Sequence, residues 1–148
     1  MPLPASLRDD GAIEHFALRF IDRTLPKAEW THAGHFAAAL WLARHRPELT
    51  APDAIRALIT GYNEATGTPN TDTGGYHHTI TLASMRAAMA HLGNSPADEP
   101  LHRVLESLLA SALGHPGWLN SYWKRETLFS VEARRAWVEP DITPLPFS

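Results

Sequence analysis

Apolar residues along this chain recur at three- and four-residue intervals, the spacing of one helix face, and almost nowhere alternate as a strand would. Ile13, Phe16, Ala17, Phe20 and Ile21 predict a first helix from Asp10, as N-cap, to about Arg23, with Pro26 as a stop. A second, from Trp30 or Thr31 to Arg46, is the most apolar segment. It sets Phe36, Leu40, Trp41 and Leu42 among many alanines, which predicts a central position, and Pro47 ends it. Thr50, Pro52 and Asp53 imitate a capping box before a third helix with the stripe Ile55, Leu58, Ile59 and Tyr62, closed by Gly67. A fourth is expected from near Tyr76 to Leu92, stopped by Gly93-Asn94, and a fifth from about Asp98 to Leu113. Ser130 reads as the cap of a shorter piece covering Val131 to Trp137.

These elements predict an all-α fold: a single-domain helical bundle of about five helices, up-and-down in kind. Its core is expected over about residues 10–138, with extended, proline-containing tails at 1–9 and 139–148. The one long connection runs from Gly67 to Gly75, and polar loops of this sort inside a compact domain tend to carry function.

Composition narrows the class. The 148 residues hold 13 Lys and Arg against 16 Asp and Glu, a net charge of −3, and the basic residues are scattered, which argues against nucleic acid as a partner. The longest apolar run, Phe36 to Ala43, is too short to cross a bilayer, and Met1-Pro2-Leu3-Pro4 lacks the features of a secretory signal; the expectation is a cytoplasmic protein without a membrane partner. With no cysteine, disulfides, thiolate metal sites and cysteine nucleophiles are excluded. Nine His and five Trp in so small a chain suggest a site.

The strongest candidate for chemistry is the helix entry Glu29, His32, His35, where steps of three residues bring neighbours onto adjoining turns. A His-x-x-His pair can chelate one metal ion, and Glu-x-x-His is the unit of carboxylate-bridged bundles. His77 opens a second stripe through Thr81, Ser84, Ala88 and His91 whose small residues suit a cavity wall better than a solvated face. His32, His35 and His77 would then bind one divalent ion, zinc, iron or manganese, with an open position for water or substrate. Two histidines with Glu29, Glu64 or Asp72 would make a facial triad instead, and Glu29 or Glu64 is the candidate general base. Asn63, Asn70 and Tyr76 flank the site as candidates to bind a small-molecule ligand, and Arg125 as the group reaching a substrate anion. Metal-assisted hydrolysis and non-haem iron oxidation both fit such a centre. The competing reading is metal-free: aromatic and histidine side chains lining a ligand groove or a homodimer face, with Asn70 and Asp72 serving as turn formers and caps.

The blocks Trp30-Thr31-His32-Ala33-Gly34-His35, Tyr62-Asn63-Glu64-Ala65 with Gly67 and Asn70-Thr71, and Gly75-Tyr76-His77 resemble a family of small bacterial helical proteins of uncharacterised function. The ending Leu128-Phe129-Ser130 to Trp137-Val138-Glu139-Pro140-Asp141 is similar too, so the resemblance spans about Leu25 to Leu145. It implies that these blocks act as one unit and implies no reaction. Position 78, His in this chain, is often Glu in that family.

Overall fold

A computed structural model describes residues 3–147, whose regular elements are all helical, with no strand among them. Five long helices, α1 (Asp10–Ile21), α2 (His32–His45), α3 (Pro52–Ala65), α4 (His78–Gly93) and α5 (Leu101–Ala110), precede two short ones, α6 (Arg125–Leu128) and α7 (Val131–Arg135). None is long and apolar enough to cross a membrane. The bundle expected from periodicity is therefore the observed architecture.

α2 occupies the centre and packs against α1, α4 and α5. Phe36 through Leu42 is buried without interruption, and the alanines at 37–39 let neighbouring helices approach on several sides. α3 packs by its ends against α1 and against the 3₁₀ turn Pro47–Thr50, which leaves space beside its middle.

The helix starts show how far local signals reach. Ser130 caps α7 through the Ala133 N–H at 3.1 Å, as the sequence predicts, and Thr31, expected only near the start of α2, caps it by accepting from the Gly34 N–H, also at 3.1 Å. Three other starts differ. α1 is capped by Asp9 rather than Asp10, the Asp9 carboxylate accepting from the Ala12 N–H at 2.7 Å. Asp10 is released to cap another helix: it accepts from the backbone N–H groups of Leu101 at 3.1 Å and His102 at 2.9 Å, where α5 follows Pro100 without a local cap. Thr50 caps nothing, because its hydroxyl donates back to the Pro47 carbonyl and α3 starts on Pro52 with no side-chain cap.

The chain ends are packed. Leu7 is fully buried, and Leu3, Leu145 and Phe147 rest against the core. Trp123 is wholly enclosed and donates its indole N–H to the Val138 carbonyl at 2.9 Å, while the Asp141 carboxylate accepts from the Lys124 N–H and the Thr127 hydroxyl. The 139–147 segment is thus a strap over α6 rather than a loose tail.

Candidate functional site

The three imidazoles of the expected metal centre do not converge. The His32 ring bonds the Leu113 carbonyl at 2.8 Å and lines a surface groove between α2 and α5. His77 faces a different space, and both of its ring nitrogens are engaged: Nδ1 accepts from the Ile80 N–H at 3.1 Å, and Nε2 meets the Leu128 carbonyl at 2.6 Å. That pair of partners requires the neutral tautomer with hydrogen on Nε2. Among the described residues, no group of three or more His, Asp or Glu side chains is gathered as a metal ion would need. The correction has a simple cause. Helical spacing puts His32 and His35 on adjoining turns, but carbonyls distant in sequence decide which way each ring turns.

What the second, third and fourth helices do border is a half-open cavity of about 490 Å³. Ala38, Ala39 and Leu42 of α2, Ile55 and Ile59 of α3, and Ile80 and Met85 of α4 form most of its wall, with Trp30 and Phe129 adding aromatic faces. Thr81 and Ser84, the first part of the small polar stripe on α4, also face it; farther along, His91 leaves the cavity and bonds Ser107 at 3.1 Å.

His35 belongs to this cavity. Its ring lies 4.2 Å from that of Trp30, centroid to centroid, and bonds no protein group among the described residues. The residue is exposed by surface area, and its ring borders the cavity. Burial, reinforced by His32 and Lys27 nearby, pushes its pKa down to about 4, so it is neutral. His77 also titrates below the ordinary histidine value, chiefly because burial disfavours its charge.

The polar corner of the cavity is built from the loop after α3. Asn70 holds it together: its side-chain oxygen accepts from the Asn63 amide and from the Tyr76 N–H, each at 3.0 Å, and its amide donates to the Thr60 carbonyl at 3.1 Å. Gly75 lies at φ +77° against this corner, where an added Cβ would stand 2.4 Å from the Pro69 carbonyl oxygen, so only glycine fits. Asn63 is buried and turns its oxygen to the Lys27 ammonium at 3.1 Å. On the far side, Arg134 of α7 donates to the carbonyls of Gly75 at 3.3 Å and Tyr76 at 3.2 Å.

Several expected site residues lie elsewhere or act differently. Glu29 is paired with Arg19 at 3.3 Å, and Glu64 is exposed; neither lines the cavity, so neither is placed to act as a base there. Asp72 is bound to the Arg135 guanidinium at 2.6 Å on the surface. Arg125 is exposed above the Phe129 ring at 5.2 Å and does not reach the cavity, because α6 presents it outward. Asn70 is a scaffold for the corner rather than a wall residue, whereas Asn63 and Tyr76 do line the cavity. The Tyr76 phenol, held up at a pKa of about 12 by burial, shares a hydrogen bond of 2.6 Å with His78 Nδ1, which gives His78 a structural partner.

Lys27, Arg134 and Phe129 are the wall residues that sequence reasoning did not select. Lys27 precedes the Trp30–His35 block in a 3₁₀ turn, and no spacing rule links it to Arg134, more than a hundred positions away. Comparison with family models, curated proteins and solved structures returns no match for the chain.

Proposed function

We propose that this protein binds a small, largely apolar organic molecule in the cavity between α2, α3 and α4, without a metal ion in that site. The observation that carries the reading is the cavity itself, about 490 Å³ walled mainly by aliphatic and aromatic side chains. Protein interiors are otherwise close-packed, and leaving apolar wall unfilled forgoes dispersion contacts. Sites for small molecules fall in the range of about 300–1,000 Å³ and combine apolar walls with a few convergent polar groups. Here those groups are Asn63, His35 and two cations.

The metal-centred alternative requires His32 and His77 to abandon main-chain carbonyls that they already bond. Each stranded carbonyl would cost about 1–3 kcal/mol.

A neutral solvatochromic dye such as Nile red tests the reading. Saturable binding of one dye per chain is expected, with a change in the emission of Trp30, which lines the wall. Ala39→Phe, which places a ring in the cavity, is expected to abolish that binding, and chelation before titration to leave it unaltered. Non-saturable dye uptake, or uptake indifferent to Ala39→Phe in a variant that unfolds cooperatively, would overturn the proposal.

A further inference from the structure

Resting on the reading that the cavity holds a small molecule, we propose that its occupant is an organic carboxylate: an apolar body carrying one anionic head, held between Lys27 and Arg134. The cavity wall contains both cations and, among the described residues, no aspartate or glutamate. Neither cation has a carboxylate partner in the described structure, although every acid in the nearby blocks that is paired has an arginine of its own: Glu29 with Arg19 and Asp72 with Arg135. In a chain of net charge −3, two unneutralised cations bordering one apolar cavity are a local excess of the sign that attracts an anion.

A chain of hydrogen bonds ties the two cations to the same loop. Lys27 bonds Asn63, Asn63 bonds Asn70, Asn70 accepts from the Tyr76 N–H, and Arg134 donates to the Tyr76 carbonyl, each link 3.0–3.2 Å long. Their protein partners are all neutral oxygens. Lys27 spends one of its three ammonium hydrogens on Asn63, and only Nη1 of the Arg134 guanidinium is engaged, so both retain donors for a ligand. Partial burial holds the Lys27 pKa below the usual lysine value, and an anion brought beside it would oppose that shift. The neutral His35 ring, unpartnered on the same wall, can add one N–H donor.

Carboxylate fits better than phosphate. Phosphate sites use clusters of free backbone N–H groups. Here three of the amides around the corner are already engaged: Tyr76 N–H by Asn70, Thr73 N–H by Thr71, and Ile80 N–H by His77. Two side-chain cations suit a planar head with two oxygens.

The test is a titration series with the full chain: straight-chain carboxylates from hexanoate to tetradecanoate, their primary amides, and the alkyl phosphates of the same lengths, each by displacement of Nile red and by calorimetry. The carboxylate is expected to bind about tenfold tighter than its amide at low salt, with the preference shrinking as salt rises. Lys27→Met and Arg134→Met are each expected to cut that ratio to about threefold or less. Lys27 is exposed in a turn, so its variant tests the proposal even if Arg134→Met does not fold. Equal affinity of amide and carboxylate, or a ratio untouched by Lys27→Met, would overturn the anionic head while leaving an apolar-ligand cavity. Alkyl phosphates binding more tightly than carboxylates would overturn the head-group class. Binding of nothing, Nile red included, would remove the cavity reading itself.

Discussion

His77 offers the sharpest test of how this site is built, because its two ring nitrogens perform two separable tasks. Nδ1 caps α4 by accepting from the Ile80 N–H, and Nε2–H satisfies the Leu128 carbonyl, which joins α6 to the start of α4. Removing a side-chain N-cap costs about 1 kcal/mol, within a span of roughly 0.5–2. Stranding the Leu128 carbonyl beside a buried ring position adds about 1–3 kcal/mol. His77→Ala is therefore expected to lose about 2–4 kcal/mol, a large share of the roughly 5–15 kcal/mol typical of a domain. Asn is among the best N-caps but too short to replace Nε2 at Leu128. His77→Asn should recover about 1 kcal/mol of that loss and no more. Equilibrium urea unfolding followed by helical circular dichroism measures both differences, with and without a chelator. A His77→Ala variant within 0.5 kcal/mol of the parent would refute the assignment, since about 1 kcal/mol is the least these two bonds can contribute together. A loss in the parent alone on chelation would mean instead that the ring serves a metal ion.

Other positions give equally direct expectations. Gly67 and Gly75 share a left-handed backbone at φ +80° and +77°, but an added Cβ meets nothing within 4 Å at Gly67 and meets Pro69 and Asn70 atoms at Gly75. Gly67→Ala should cost about 1 kcal/mol from backbone strain alone, and Gly75→Ala about 2–4 kcal/mol in urea unfolding; equal costs would contradict the tight corner. Tyr62 is fully buried and donates its hydroxyl to the Leu25 carbonyl at 2.8 Å, so Tyr62→Phe should lose about 1–3 kcal/mol with no change in helix content, and an unchanged midpoint would refute that bond. His35 titrates at 6.5 when unfolded and at about 4 when folded, so between those values the unfolded chain holds the extra proton. Its stabilising contribution is complete above 6.5 and is lost as pH falls towards 4. The full shift converts to about 3 kcal/mol, and the exposure of the residue reduces this to about 1–2 kcal/mol. His77 and His78 shift in the same direction, so the readout is a difference: from pH 7 to 5, His35→Gln should lose about 1 kcal/mol less stability than the parent. Parallel pH curves for the two proteins would show that the ring is not held neutral by the fold.

Much of the architecture was legible in the chain because its causes are local. Apolar spacing placed five long helices, the unbroken apolar run from Phe36 marked α2 as central, and the Ser130 hydroxyl marked the start of α7. The stripe from His77 through Thr81 and Ser84 was recognisable as a cavity wall, since its small and polar residues suited a wall better than a solvated face. The same rules misplaced Thr50 and Asp10, where a nearby carbonyl and a distant helix start offered better partners than the expected local amides. Sequence spacing can state that two side chains share a face of one helix, because 3.6 residues per turn is a property of the backbone. It cannot state what lies opposite that face. Tertiary packing turned His32 towards Leu113 and His77 towards Leu128, and it brought Lys27 and Arg134 to one cavity across more than a hundred residues. Those choices rest on atoms contributed by remote segments, and they set the three imidazoles apart while placing Lys27 and Arg134 along one apolar cavity.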